Sequence, residues 1–526
     1  MGAAVVVGGL ALSLVCQAAP SAAGEPRAGS VGPATRPNIL FVLTDDLDLA
    51  ELSSVPNVAE LIGAEGVTFD DAFVNVSWCC PSRVTMLTGQ YAHNTGVYTN
   101  GPVNGGFEVA RALGVEQRTI ATTLHAAGYR TGLFGKYLNG YPGSAGDTYV
   151  PPGWSSWASP VAGDPYTQYN YVLNEDGVLR SHGHAPSDYL DGVSVSHTRQ
   201  FIEDSARSGV PFFAYLSLYA PHDPAPPAPG DEALFAGTLA PRSPAFDQAD
   251  VSGMPSYIRS LPRLRAGDTA EIDALYQRRL ASLAGVGREV ASLLDTLRST
   301  GQLDNTYVVF TSDNGYHLGQ HRLPAGKETP YDTDSRVPLL VRGPGIRAGV
   351  HMTGLVGNVD VAPTFASMAG LRPAAFVDGR SWLDFVRGAD ATLRSPRRAF
   401  LLQHWRESDT PALLSAGTRR GTLEPPDLDQ QPRAPSPTGA ASATTVLFDD
   451  VERVPQFAAV RTLQYLYVEY ATGERELYDV LADPEQVTNL AGPGAVASAV
   501  EQRLSGRLAA LQSCRRGGCR AADRSD

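Results

Sequence analysis

Apolar runs alternate with amphipathic segments along most of the chain, and this alternation predicts its main elements. Runs that are apolar at most positions are typical of strands buried on both faces of a parallel sheet. They occupy residues 38–44, 130–134, 211–219, 306–310 and 337–341. Helical periodicity predicts helices over residues 119–129, 188–207 and 271–299. Together these segments predict an α/β fold with a large, doubly wound, mainly parallel sheet flanked by helices.

The pattern changes after residue 370, where we expect a smaller C-terminal α+β domain containing an antiparallel sheet. Its predicted strands cover residues 399–405, 457–470 and 474–480, and its closing helix covers residues 496–512. Residues 421–445 are rich in Pro, Ser, Thr and Ala, which predicts a low-complexity loop. The predicted domain boundaries are 36–395 for the larger domain and 396–526 for the smaller domain.

The N-terminus has the pattern of an export signal. Residues 5–15 are apolar, and small residues follow as far as Gly24, which predicts a signal peptide over residues 1–23 with cleavage near Ala23. Residues 24–35 are rich in Pro, Gly, Ala and Ser and are expected to form a flexible lead-in. Neither this run nor any later segment reaches about 18 uninterrupted apolar residues. We therefore expect a secreted, extracellular protein without a stable membrane anchor.

Composition and charge narrow the classes of partner. The chain has 526 residues, of which 43% are hydrophobic and 18% charged, as in ordinary globular proteins. Its formal net charge of −13 argues against nucleic acid as a partner. Five cysteines are present, and the close pair Cys514 and Cys519 predicts a short disulfide loop in an exported chain.

The segment 77–89 contains the strongest candidate chemistry. Pro81 suits the first turn of a helix, so Cys79 is expected just outside a helix N-terminus, where unpaired N–H groups favour an oxyanion. Arg83 adds a cation one turn further on. The alternative is that Cys79 and Cys80 form a vicinal disulfide or a buried pair of thiols.

Acidic and amide side chains follow two of the predicted buried strands. Asp45 and Asp46 come after the first strand, and Asp313 and Asn314 come after the strand at 306–310. Ligand sites of α/β folds lie at the carboxyl ends of strands, and oxygen ligands suit a hard divalent cation. A solvated acidic turn is the alternative.

Three basic side chains occupy similar places. Lys136 and His222 each follow a predicted strand, and Lys327 lies in a polar segment further on. A histidine has the pKa range to give a proton to a departing alcohol. A solvated lysine and a structural histidine in a proline-rich turn are the alternatives.

The motifs and their order resemble the formylglycine-dependent sulfatases of the alkaline-phosphatase superfamily. Residues 79–89 fit the pattern Cys-x-Pro-Ser-Arg-x-x-x-Leu-Thr-Gly, and residues 135–139 and 313–317 read Gly-Lys-Tyr-Leu-Asn and Asp-Asn-Gly-Tyr-His. Residues 476–480 resemble a C-terminal signature of the same family. The set is most similar to N-acetylglucosamine-6-sulfatases and related exported sulfatases.

The resemblance implies the chemistry of each candidate residue. Cys79 would be oxidised by a formylglycine-generating enzyme, and the hydrated aldehyde would be the nucleophile. One Ca²⁺ per chain would be held by Asp45, Asp46, Asp313, Asn314 and residue 79. The catalytic side chains would be Arg83, Lys136, His222, His317 and Lys327, with His222 protonating the leaving alcohol. Leu138 stands where many sulfatases have a histidine, and Asn139 or His317 are its candidate substitutes.

The function implied is hydrolysis of a sulfate ester in glycosaminoglycan degradation. The expected substrate is a sulfated sugar, such as N-acetylglucosamine 6-sulfate, or an aryl sulfate. A phosphomonoester or phosphonate hydrolase of the same superfamily is the first alternative. An inactive glycan-binding relative is the second, and it would be expected to lack a nucleophile or metal position.

Overall fold

The computed structural model describes residues 1–5, 8, 36–101, 103–388, 397–406, 454–492 and 494–525. The described residues from Arg36 onward form one compact unit. The predicted cleavage site, the lead-in, the loop 421–445 and the boundary at 395/396 all lie outside the described residues, so they stay predictions. No helix in the described part of the chain combines the length and apolar character of a membrane span.

The strands follow in chain order. They are β1 (Asn38–Thr44), β2 (Val67–Phe69), β3 (Ala72–Phe73), β4 (Arg130–Gly135), β5 (Ser156–Gly163), β6 (Tyr171–Glu175), β7 (Val178–His182), β8 (Phe212–Ser217), β9 (Thr306–Ser312), β10 (His317–Leu318), β11 (Ala325–Gly326), β12 (Leu339–Arg342), β13 (Val350–Met352), β14 (Val356–Gly357), β15 (Phe400–His404), β16 (Phe457–Arg461), β17 (Tyr465–Tyr470) and β18 (Arg475–Asp479).

The α-helices lie between and after these strands. They are α1 (Pro56–Val58), α2 (Cys79–Thr88), α3 (Ala92–Thr95), α4 (Gly106–Ala112), α5 (Ile120–Ala126), α6 (Leu190–Ser208), α7 (Ser256–Arg259), α8 (Ala266–Ser299), α9 (Asp332–Ser335), α10 (Val361–Met368), α11 (Leu383–Arg387), α12 (Ala495–Gln512) and α13 (Gly517–Ala522).

Ten strands form the main sheet in the order β13-β2-β12-β9-β1-β8-β4-β5-β6-β7. The central strands β9, β1, β8, β4 and β5 are mutually parallel. Antiparallel pairing begins on either side of them, at β12 and at β6. The predicted doubly wound α/β sheet is thus confirmed, with a parallel centre and mixed margins.

Helices cover both faces of the sheet. Successive residues of β1 point to opposite faces, so they pack against different helices. Phe41 packs into the core that includes α2, α5 and α10, with its ring centroid 5.1 Å from that of Phe365. Leu40 and Val42 pack on the other face with α6 and α8. All seven residues of β1 are buried, which explains its continuous apolar run.

A second, antiparallel sheet has the order β15-β16-β17-β18 and packs with α12 around its own apolar cluster. The predicted antiparallel sheet is confirmed. The disulfide between Cys514 and Cys519 is also present, with a Cα–Cα distance of 4.8 Å. Its turn is docked on α3, because the Cys514 carbonyl oxygen lies 3.0 Å from His93 Nε2.

Residues 457–470, predicted as one strand, form the hairpin of β16 and β17 instead. The apolar pattern runs through both strands, and the turn between them has neither Gly nor Pro. The Thr462 side chain makes this turn by accepting hydrogen bonds from the N–H groups of Gln464 and Tyr465. Periodicity alone could not reveal it.

Candidate active site

Four neighbouring strands place the candidate side chains at one edge of the main sheet. The segments that follow the carboxyl ends of β9, β1, β8 and β4 supply Asp313, Asp45, His222 and Lys136 in that spatial order. Because parallel strands end at the same edge, residues far apart in sequence converge there. All four side chains are buried.

Helix α2 brings Cys79 to this edge. The helix begins at Cys79 itself, not beyond it as predicted, and Pro81 lies in the first turn. Cys79 Sγ lies 3.4 Å from Asp45 Oδ1 and 3.3 Å from Lys327 Nζ. Cys80 packs into the apolar core instead. Neither cysteine is part of a disulfide, so the vicinal disulfide considered from the sequence is not formed.

Each lysine pairs with one of the first two carboxylates. Lys136 Nζ donates to Asp45 Oδ2 at 2.5 Å, and Lys327 Nζ lies 3.0 Å from both carboxylate oxygens of Asp46. Burial raises the pKa of Asp45, but Lys136, His222 and Arg83 outweigh burial and lower it overall. The carboxylate therefore stays ionised at this buried position.

Arg83 joins the helix to the ends of three strands. Its Nε donates to Asp313 Oδ2 at 2.8 Å, and one terminal nitrogen donates to Ser217 Oγ at 2.7 Å and to the Lys136 carbonyl at 3.1 Å. The other terminal nitrogen lies 3.6 Å from Asp45 Oδ2. Burial lowers the pKa of Arg83, but Asp313 and Asp45 raise it well above its usual value. Arg83 thus fixes the relative positions of α2, β4, β8 and β9.

The oxygen donors at this edge fit a hard divalent cation. Ligand atoms of Asp45, Asp46, Cys79 and His222 all lie within 4.8 Å of one another. Asn314 adjoins them, because its Nδ2 donates to Asp46 Oδ1 at 2.6 Å. Among the described residues, Asn314 Oδ1 is buried without a hydrogen-bond partner, and a cation beside it would satisfy that oxygen.

Asp313 belongs to the same cluster but is engaged differently. Its Oδ1 accepts hydrogen bonds from the N–H groups of Asp46 and Asn314, at 3.1 and 2.9 Å, while its Oδ2 accepts from Arg83. Burial and the charge of Asp45 raise the pKa of Asp313, although Arg83 opposes them. Three carboxylates so close together need the surrounding positive charge.

His222 faces the cluster with one nitrogen and the backbone with the other. Its Nδ1 lies 2.7 Å from the Asp223 carbonyl oxygen, which can only accept, so Nδ1 carries the hydrogen. Its Nε2 lies 3.3 Å from Lys327 Nζ and 3.5 Å from Asp46 Oδ2. The ring of Tyr166 packs 4.7 Å from the His222 ring and 5.0 Å from Lys136 Nζ. An aromatic wall therefore borders the site.

His317 contacts the site through other residues. Its Nδ1 lies 3.0 Å from Asp334 Oδ2, and the same carboxylate oxygen accepts from the N–H of Thr329 at 2.9 Å. Leu138, at the family histidine position, packs into the apolar core and lines a small cavity with Lys136 and Tyr166. Whether His317 or Asn139 substitutes for that histidine stays a prediction.

Two supporting residues were missed in the sequence. Arg279, fully buried in α8, donates to the carbonyl oxygens of Asp46 at 2.6 Å and Pro221 at 3.2 Å, and it pairs with Glu51. Asp191 accepts from the N–H groups at 219 and 220, just before His222. Arg279 lies on the apolar stripe of its helix, and a charged residue there was the available signal.

Comparison with known proteins gives a consistent result. A family model described as Sulfatase matches residues 37–371. Human N-acetylglucosamine-6-sulfatase is 34% identical over 508 residues, which cover 92% of this chain and 86% of the relative. The arylsulfatase of Volvox carteri is 32% identical over 520 residues, covering 92% of this chain and 76% of the relative.

An extracellular sulfatase SULF-1 homolog of Drosophila melanogaster is 36% identical over 394 residues, which cover 74% of this chain. The chain spans 34% of the length of that relative and 52% of the length of a putative Caenorhabditis elegans homolog.

Solved structures share the fold at lower identity. A protein solved in complex with its substrate D-glucosamine-2-N,6-O-disulfate superimposes with a TM-score of 0.70 at 22% identity, covering 93% of this chain and 99% of that one. A phosphonate monoester hydrolase from Silicibacter pomeroyi superimposes with a TM-score of 0.64 at 21% identity, covering 90% of this chain and 94% of that one.

The family model spans the whole main sheet, and the human relative matches nearly the whole chain. This chain therefore belongs to the sulfatase family.

Proposed function

We propose that this protein hydrolyses a sulfate ester of a sugar, such as N-acetylglucosamine 6-sulfate, or an aryl sulfate. One observation carries the proposal: the Cys79 thiol at the start of α2 lies among Lys327, Asp45 and Asp46, beside His222. Relatives named N-acetylglucosamine-6-sulfatase and arylsulfatase match most of the chain and support this substrate class.

The charges of the site suit an anionic ester. Three buried cations, Arg83, Lys136 and Lys327, balance the three carboxylates of Asp45, Asp46 and Asp313. When bound, Ca²⁺ held by Asp45, Asp46, Asp313, Asn314 and residue 79 would supply Lewis-acid polarisation, and a hydrated formylglycine at 79 would supply a hydroxyl nucleophile. The helix N-terminus and Lys327 stabilise negative charge that develops beside residue 79.

His222 handles the proton of the leaving alcohol. Because its Nδ1 donates to a backbone carbonyl, only Nε2 can exchange a proton with the site. Nε2 is next to Lys327 and Asp46, so a protonated His222 faces the bond that breaks. Arg83 and Asp313 hold the surrounding groups in place and transfer no proton in this scheme.

Maturation and location follow from the same proposal. A formylglycine-generating enzyme would convert Cys79, and the N-terminal signal would direct export. The fly relative is named an extracellular sulfatase, which supports the second point. A glycan-binding relative without catalysis is disfavoured, because the sequence has a suitable residue at each position where the family resemblance implies a nucleophile or a metal ligand.

Mass spectrometry and activity together test the proposal. Protein made with and without a formylglycine-generating enzyme would be digested with trypsin, and the peptide ending at Arg83 would be weighed. We expect formylglycine at 79 only in the active preparation. Cys79→Ala should be inactive, whereas the matched control Cys80→Ala should keep activity within about threefold, since Cys80 faces the core and its loss costs mainly packing.

The substrate class is tested by comparing rates on an aryl sulfate, an aryl phosphate and a phosphonate monoester. We expect the sulfate to be the fastest. An unmodified thiol at 79 in fully active protein, or a faster phosphate or phosphonate reaction, would contradict the proposal in favour of the phosphohydrolase alternative.

A further inference from the structure

A buried carboxylate in the small sheet is held by three tyrosine hydroxyls. Glu476 of β18 is fully buried, and Tyr331 and Tyr478 both donate to its Oε1, at 2.9 and 2.5 Å. Tyr470 donates to Oε2 at 2.6 Å. Arg461 of the same sheet pairs with Asp332. Three hydroxyl donors satisfy a buried carboxylate that would otherwise be costly.

Tyr331 is the member of this group that belongs to the active-site side. Its backbone carbonyl accepts the N–H groups of Asp334 and Ser335, both at 3.0 Å, which forms the start of α9. The Asp334 carboxylate then contacts His317, and its oxygen accepts the N–H of Thr329 at 2.9 Å. Tyr331 therefore lies within the segment 327–335, which begins with Lys327.

The same segment is joined to the metal-ligand segment by backbone hydrogen bonds. The N–H of Gly315 donates to the Asp334 carbonyl at 2.8 Å, and the N–H of Tyr316 donates to the Thr333 carbonyl at 2.9 Å. Lys327 at the start of the segment contacts both Asp46 and Cys79. A displacement of α9 would therefore move Lys327, its contact with Cys79 and the proposed metal ligands Asp313 and Asn314 together.

A second contact anchors α9 to the small sheet. Arg461 of β16 makes two parallel hydrogen bonds of 3.0 Å to the carboxylate of Asp332, and Gln486 donates to Asp332 Oδ1 at 3.0 Å. Burial raises the pKa of Asp332, but Arg461 outweighs it and keeps the pKa below its usual value. Bidentate pairs of this kind fix orientation as well as distance.

We propose that Glu476 is a positioning residue of the active site. Through Tyr331 it holds the segment 327–335 in place. This segment in turn fixes the positions of Lys327 and of residues 313–317 relative to Cys79. The small sheet is then part of the catalytic apparatus, in addition to any contribution its loops make to specificity. This inference rests on the proposed sulfatase function for its kinetic test.

Two tyrosine variants separate positioning from stability. Tyr331→Phe and Tyr478→Phe each remove one buried hydroxyl from the same oxygen of Glu476. The two changes should therefore lower Tm by similar amounts. Only Tyr331→Phe removes the hydrogen bond between Glu476 and the segment that contains α9. We therefore expect its kcat to fall about tenfold at unchanged KM, because small displacements of catalytic groups slow the reaction strongly. Tyr478→Phe should stay within about twofold of the parent kcat.

Amide hydrogen exchange gives a readout that does not depend on activity. We expect faster exchange over residues 327–335 in Tyr331→Phe and parent-like exchange there in Tyr478→Phe. Equal kcat values and equal exchange in the two variants would overturn the positioning role. If the parent protein itself hydrolyses no sulfate ester, the proposed function fails, and the exchange comparison alone decides this inference.

Discussion

Asp46 shows how one residue can serve the site with both its side chain and its backbone. Its φ of +67° lies in the left-handed region, which costs about 1 kcal/mol for a residue with a Cβ. In this conformation its N–H donates to Asp313 and its carbonyl accepts from Arg279, while the carboxylate faces Lys327. The surrounding contacts offset the cost, and they fix where the carboxylate points.

The proposed role of Asp313 in cation binding is tested by Asp313→Asn. This change keeps the shape of the side chain but removes one negative charge proposed to bind the cation. We expect bound calcium and kcat both to fall at least about 100-fold. Calcium would be measured by metal analysis after dialysis, with the exposed Asp304→Asn as the matched control. Unchanged calcium content with full turnover would remove Asp313 from the metal site.

Helix α8 supports the site over a long distance. It has 34 residues, and Arg279 near its middle reaches the backbone on both sides of the cluster, at Asp46 and Pro221. The guanidinium also lies over the Tyr316 ring, 4.5 Å from its centroid. A single helix thereby connects the end of β1, the turn before His222 and the segment after β9.

Arg279→Met tests this support. The variant leaves Glu51 buried without its cation, so we expect a loss of about 3–5 kcal/mol in the free energy of unfolding. Removing both partners, in Arg279→Met with Glu51→Leu, should recover part of the loss, since no charge is then stranded. Arg298→Met on the exposed end of the same helix should change stability by less than about 0.5 kcal/mol. Urea denaturation measures the stability of all three variants. If Arg279→Met lost as little stability as Arg298→Met, the supporting role of Arg279 would be contradicted.

Sequence reasoning succeeded where one signal determined one feature. The apolar runs predicted β1, β8 and β9 because strands buried on both faces carry few polar residues. The motifs, interpreted through the family resemblance, predicted that Cys79 lies close to Asp45, Asp46 and Lys327. The turn at Thr462 escaped, because a side-chain hydrogen bond formed it without Gly or Pro. Asp191 escaped because it accepts hydrogen bonds from backbone groups, which no local pattern records. Arg279 escaped although a charged residue on the apolar stripe of α8 was a signal for it.

Acid stability of the whole protein should depend on His321. Burial, assisted by repulsion from His317, lowers the pKa of His321 to about 3, and its Nδ1 lies 2.8 Å from Gln248 Oε1. Since the folded-state pKa is below the ordinary value of 6.5, its stabilisation is present above pH 6.5 and is lost as pH falls toward 3.

The variant His321→Asn removes this titration, and Asn tolerates the φ of +54° at that position. Between pH 7 and pH 5 the parent should lose about 2 kcal/mol more unfolding free energy than the variant. Urea denaturation at the two pH values measures the difference. Parallel pH profiles for the two proteins would show that His321 is not buried in the neutral form.

The strand pairing at the centre of the main sheet determines how late in synthesis the active site can form. Asn38 at the start of β1 contacts Phe212 and Thr306, which are 174 and 268 residues away along the chain. Such distant pairings form late and slowly. Lys327 follows Cys79 by 248 residues, a stretch that takes about 12–50 s to synthesise at 5–20 residues per second. During that interval the thiol cannot yet be enclosed, so the enzyme proposed to oxidise Cys79 has its opportunity while the chain is still being made.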